Sequence, residues 1–416
     1  MRKKLLMIGF SFIIFFSLAA CGSANTGEGE VVRLFVSGDT AEGQAYSKMA
    51  EKYKEETGVT VEVSDIPYAD IITKISTAVQ ADEAPDLARV SGIESEWADH
   101  LVDLTEVAEK AGTIESMTVK DEDGKVKAIP TDVTAVGMFI NKDLFDEAGV
   151  SYPMSEEDIW TWDEFLTDVE KVLEKTDAKY GLLMDASDHR LRAFTYQFGG
   201  QDFFLNEAGD SYTTDEETKK ALEKFISLND DHIMPKNVWT SGEDPSALFK
   251  SGRVAAYLSG SWQIVDFSNN ITDFEWASVY MPYEKVRATN MGGNFMVAFD
   301  NSKNTDGARE FLNWLYEKEN YTQLSEYAGY IPGVEGLEIE YAVGQESYDI
   351  YSKEIASSDD IKGRQTANQV SSVMKGFTGL TGEYKNSIVK VLNNEMTLEE
   401  AIQATIEDYN NGYLKK

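Results

Sequence analysis

The stretch VKAIPTDVTAVGMFINKDLFDEAG, residues 126–149, constrains the fold more than any other part of this chain. It leaves a tight turn at Asp123 and Gly124, a pair that tolerates the positive φ such turns need. Pro130 lacks a backbone donor and fixes φ, which argues against a central strand position or a helix interior. Thr131 and Asp132 are polar within an otherwise apolar run, and a second strand at 135–140 follows at once. Asn141 then opens a short helix that Gly149 can stop. Two strands interrupted by a proline and an acid, with no turn between them, describe one extended segment passing between two bodies. Asp132 is thereby expected at the mouth of the gap.

A chain of 416 residues is too long for one core, so two domains are expected. Acidic residues outnumber basic ones 73 to 38, and the net charge of −35 excludes nucleic acid and anionic lipid as partners, since both require basic surface. Residues 1–20 read as a signal peptide: Arg2, Lys3 and Lys4, an apolar run at 5–16, then small residues before Cys21. The run is shorter than the ~20 residues a spanning helix needs. Its end, LAAC, resembles the bacterial lipobox, which implies cleavage before Cys21, lipidation of its thiol and attachment to the outer face of the cell membrane. Cys21 is the only cysteine, so no disulfide forms within the chain. His100, His189 and His232 stand far apart, and neither a metal nor a cofactor is expected. Residues 21–30, rich in Gly, Asn and Glu, read as a flexible tether.

From residue 31 the pattern is α/β. A strand at 31–36 leads through Asp39 to a helix with Tyr46, Met49, Ala50 and Tyr53 on its apolar side, stopped by Gly58. A strand at 59–63, a helix at 68–80 and a strand ending at Val90 complete a βαβ rhythm typical of an open parallel sheet. Ligands collect beyond the carboxyl ends of such strands. Asp39 and Ser91 lie there, either as ligand contacts or as caps of the next helix. In the second body Thr161 and Glu164 signal a capping box, as do Thr214 and Glu217. A strand at 179–184 precedes a loop at 185–190, and FKSGRVAAYLSGSW (249–262) places Trp262 at the first turn of a helix, beside free backbone donors. A glycine-led strand at 292–299 returns the chain to the first body, a loop follows at 329–333, and the remainder is helical.

In this order, APDLARVSG, DGKVKAIPTDVTAVGMFINKDLFDEAGV, TWDEF, FKSGRVAAYLSGSW and GGNFMVAFDNSKNTDGAREFLNWL resemble the carbohydrate-binding extracellular solute-binding proteins of ABC importers, the maltodextrin-binding-protein family. The resemblance covers nearly all of the mature chain. It implies a type II periplasmic-binding-protein-like fold, two lobes each with a central sheet flanked by helices, joined by a hinge of about three crossings. The expected lobes are 31–131 with 285–320, and 132–284 with 321–416. It also implies capture of a sugar, delivery to a membrane permease, a monomer, and no catalysis. By family position, Asp39, Ser91 and Asp132 would accept sugar hydroxyls and Trp262 would be the stacking platform. Gly293 would admit the ligand close to backbone, with Asn294 as an amide partner and Tyr330 lining the hinge. His189, Arg190 and Trp239 are further candidates. Another polar solute, such as a glycerol phosphodiester, is the alternative ligand. A glycoside hydrolase would need a placed pair of carboxylates, and nothing in the chain order marks one.

Overall fold

The computed structural model describes residues 31–358 and 372–415. The signal peptide, Cys21 and the tether lie outside the described residues. The described residues form eleven strands: β1 (Val32–Val36), β2 (Val61–Asp65), β3 (Leu87–Val90), β4 (Val119–Lys120), β5 (Val126–Asn141), β6 (Tyr180–Met184), β7 (Phe203–Leu205), β8 (Tyr212–Thr214), β9 (Val254–Gly260), β10 (Trp276–Val279) and β11 (Met291–Ala298). Helices fill most of the intervals, including Ala45–Thr57, Ile71–Gln80, Trp162–Lys175, Asp188–Gln197, Lys318–Ala328 and Leu398–Tyr413.

The organising element is β5, a strand of 16 residues that belongs to both lobes. Its first half completes the order β2-β1-β3-β11-β5, and its second half pairs with β9, which pairs with β6. The two expected sheets therefore form one continuous hydrogen-bonded path. In the first lobe, alternation sends Val32, Leu34 and Val36 to one core and Phe35 to another, so the sheet is covered on both faces. The second lobe has its own large core, built on the second half of β5, β6 and β9.

Pro130 stands inside β5, contrary to the expectation from its missing donor. The register explains it: Asn294 pairs with Asp132 but Phe295 pairs with Pro130, so Thr131 is an extra, bulged residue. A bulge tolerates a proline because the ladder is already interrupted there. Next to it, two tyrosines of the first lobe and the loop between the lobes replace a strand partner. The Tyr316 and Tyr321 hydroxyls donate to the carbonyls of Pro130 (3.0 Å) and Thr131 (2.7 Å), and the Val133 amide donates to Ile331 O (2.8 Å).

Three local expectations need correction. The helix at 216–228 is capped by Asp215, which accepts from the Thr218 amide, in place of Thr214. His189 and Arg190 lie in the first turn of the helix Asp188–Gln197, outside any loop. The helix Lys318–Ala328 and Tyr330 pack in the first core, so the lobe boundary does not fall at 320. Their apolar face (Tyr321, Leu324, Ala328) is buried against the helix Ala45–Thr57, whose Lys52 Nζ donates to Asn320 and Gln323. The chain passes to the second core later, where Gly344 meets Ile264 and Tyr348 is buried.

Candidate ligand-binding cleft

At the bulge, Asp132 is 1% exposed. A buried carboxylate must be paired, and its partner is Arg89 on β3, the one cation in the strand LARV. Asp132 Oδ1 accepts from Arg89 Nη2 at 2.9 Å and from Nε at 3.3 Å, with Thr131 Oγ1 at 2.7 Å. Asp132 Oδ2 accepts from Asn294 Nδ2 at 3.2 Å. Arg89 Nη1 donates to Glu42 Oε2 at 3.2 Å and to Ser37 O at 3.2 Å. The Tyr330 ring lies 4.7 Å from the guanidinium carbon, and its hydroxyl donates to Glu42 Oε2 at 2.5 Å.

Burial pushes the Glu42 carboxyl up to about 7, against the pull of Arg89 and the Tyr330 hydrogen bond and with the repulsion of Asp132 and Asp39 added. Its folded value lies above its unfolded one, so the stability it contributes is complete below pH 4.5 and is lost as pH rises through about 7. Glu42→Gln is expected to flatten the decline in stability across that window. Urea midpoints at pH 5, 6 and 7.5 check this; a slope equal to wild type would refute it. His189 acts in the opposite sense. Burial and the Arg190 and Arg192 charges lower it to about 3, so its contribution is lost as pH falls below 6.5.

The second lobe presents a matching cluster. Asp185, one residue past β6, accepts from Arg190 Nε (2.8 Å) and Nη2 (2.5 Å), from Ser259 Oγ (2.8 Å) and from the Tyr257 hydroxyl. So held, the Arg190 guanidinium carbon sits 4.2 Å from the centre of the Trp262 ring. Gly260 makes this possible, because a Cβ there would lie 2.1 Å from the six-membered ring of Trp262. Asn290 Nδ2 donates to His189 Nδ1 at 2.7 Å, which leaves the ring proton on Nε2. Asn290 Oδ1 is buried without a partner.

One strand aligns the two clusters. Asp132 pairs with Asn294 and Val136 with Gly260, four residues apart, or roughly 13 Å along β5. Ser91 stands half-buried just past β3, and a Cβ on the neighbouring Gly92 would meet open space. Asp39, by contrast, is committed to the helix Ala45–Thr57: Oδ1 accepts from the Tyr46 amide (2.7 Å) and Oδ2 from Ser47 Oγ (2.6 Å), so the capping reading holds in place of a hydroxyl acceptor. Trp239 is 3% exposed and packs 4.9 Å from the Phe225 ring, a core residue. Gly293 gives its space to protein, not ligand, because a Cβ there would lie 2.4 Å from Asp132 O. Sequence reasoning missed Arg89, Glu42, Asp185 and Tyr257. The signal for Arg89 was present, as a lone arginine in a strand buried on both faces needs an acid nearby.

Residues 48–341 match a family described as bacterial extracellular solute-binding protein. The lactose-binding protein of Rhizobium radiobacter is 25% identical over 289 residues, which are 65% of this chain and 66% of the relative. The diacetylchitobiose binding protein of Streptomyces coelicolor is 22% identical over 361 residues, 81% of this chain and 83% of the relative. Among solved structures, the GacH receptor of Streptomyces glaucescens, known unliganded and with acarbose, superposes with a TM-score of 0.73. It is 21% identical and the match covers 93% of this chain and 99% of that one. Maltose-bound MalE3 of T. maritima gives a TM-score of 0.72 at 16% identity, covering 91% and 98%. At such identity the likeness speaks for the fold, a two-lobed type II periplasmic-binding-protein architecture. With a family match spanning most of its length and this fold, the chain belongs to the bacterial extracellular solute-binding proteins.

Proposed function

We propose that this solute-binding protein captures a short oligosaccharide between its lobes and delivers it to the permease of an ABC importer. One observation carries the reading: midway along a single strand that spans both lobes, a charged, hydrogen-bonding cluster of the first lobe and an arginine-backed tryptophan of the second stand only four strand residues apart. Sugar hydroxyls favour charged donors and acceptors, and the C–H faces of pyranose rings favour flat aromatic surface. Ser91 and Asn294 would serve hydroxyls from the first lobe, with Tyr330 at the junction; Asp132, expected as an acceptor, is buried with both oxygens engaged and instead holds Asn294 in place. Trp262 would stack from the second lobe, beside His189. Arg190 Nη1 has only Ser187 Oγ at 3.3 Å and can donate to a hydroxyl. The relatives named for lactose, diacetylchitobiose and maltose support this ligand class.

Contacts from both lobes exist together only in a closed state, so the sugar closes the protein by differential affinity. The protein acts as a monomer, anchored through lipidated Cys21 on the outer face of the membrane, and performs no catalysis. A panel of mono-, di- and oligosaccharides in a thermal-shift assay tests the reading, with chromatography of the recovered sugar. A raised melting temperature with intact sugar is expected for at least one di- or oligosaccharide. Cleaved sugar, or a response confined to glycerol phosphodiesters, overturns it.

A further inference from the structure

The lobes meet at three segments: β5 around Asp132, the start of β11 around Asn294, and the loop 329–333 that follows the helix Lys318–Ala328. The last of these touches both lobes. Tyr330 packs in the first core, while a Cβ on Gly329 would meet the Tyr348 hydroxyl and Val265 of the second. All three segments converge on one side chain. Arg89 binds Asp132 directly, reaches Asn294 through the other oxygen of that carboxylate, and lies over Tyr330, whose hydroxyl holds the second carboxylate of the cluster, Glu42.

We infer that Arg89 is the positioning residue of the hinge: it ties the three inter-lobe segments into one unit without itself contacting the ligand. Its nitrogens are all engaged within the protein, Nε and Nη2 on Asp132 and Nη1 on Glu42 and Ser37 O. Nothing is left to offer a solute. A guanidinium suits the task because its planar fork serves two carboxylates while its face stacks on an aromatic ring; a lysine ammonium is a single point charge that can do neither together. The Tyr316 hydroxyl holds only β5, and the Tyr321 hydroxyl joins β5 to the loop by donating to Thr131 O and accepting from the Gly333 amide at 2.9 Å, but neither reaches the side chains at Asn294. Arg89 alone among the described side chains joins β5, β11 and the loop. The inference rests on the reading of the gap as the solute cleft for its consequence, that Arg89 sets how readily the lobes rearrange.

Hydrogen exchange on the full chain without sugar tests it. Arg89→Lys is expected to accelerate amide exchange about tenfold at residues 130–136, 288–294 and 329–334 together, leaving the core strands β1 and β9 at wild-type rates. Tyr330→Leu, which leaves both carboxylates paired with Arg89, is expected to give the same pattern with smaller amplitude. Acceleration confined to 130–136, acceleration spread equally through both cores, or no change in either variant overturns the inference. Trp262→Ala separates the two ideas: under the sugar reading it loses binding, yet its exchange at the three segments stays at wild type. A sugar panel without a response would end the first reading and leave the exchange result standing.

Discussion

Trp262→Ala weakens binding of the oligosaccharide found by the panel roughly a hundredfold, about 3 kcal/mol, with the melting temperature of the sugar-free protein unchanged. The size follows from what the side chain supplies. An indole held flat by Arg190 at 4.2 Å on a glycine seat is preorganised, so little rotamer freedom is lost when a pyranose ring settles on it. The fold is spared because Trp262 is only partly buried and lies in a short turn after β9, outside the core of the second lobe. Calorimetry checks the affinity. Unchanged binding in the variant removes Trp262 from the site, and with it the aromatic half of the cleft.

The second large effect falls on stability. Asp132→Ala leaves Arg89 buried with one carboxylate in place of two, and uncompensated buried charge of this kind costs about 3–5 kcal/mol. The loss is smaller at pH 8, where Glu42 is ionised and balances Arg89 alone, than at pH 5, where burial favours its protonated form. Asp132→Asn keeps the shape and one acceptor oxygen and costs less. Urea unfolding of both variants at the two pH values measures this. A loss of less than 1 kcal/mol at pH 5 would refute the Asp132–Arg89 pair as a stabilising contact.

The bulge at Thr131 connects these results. Pro130 marks an interruption, expected as a break between two strands at the edge of a gap. The interruption is instead a single extra residue within a continuous strand, which turns Thr131 and Asp132 into contact with Arg89 and Asn294. A missing donor at Pro130 is a local property, whereas the hydroxyls that serve the neighbouring carbonyls come from Tyr316 and Tyr321, nearly two hundred residues later.

Whatever depends on near neighbours was legible along the chain: the βαβ rhythm, the capping box at Thr161, the stop at Gly58, and the placing of Trp262 at a helix start. Periodicity and capping are properties of a few consecutive residues. The partners of buried charges are not. That Asp39 caps a helix, that Gly293 yields its space to Asp132 O, and that Arg89 gathers Asp132, Glu42 and Tyr330 were decided only in three dimensions. The physical reason is desolvation: a charge withdrawn from water must find its counter-charge wherever the fold brings one within about 3 Å, at any distance along the chain.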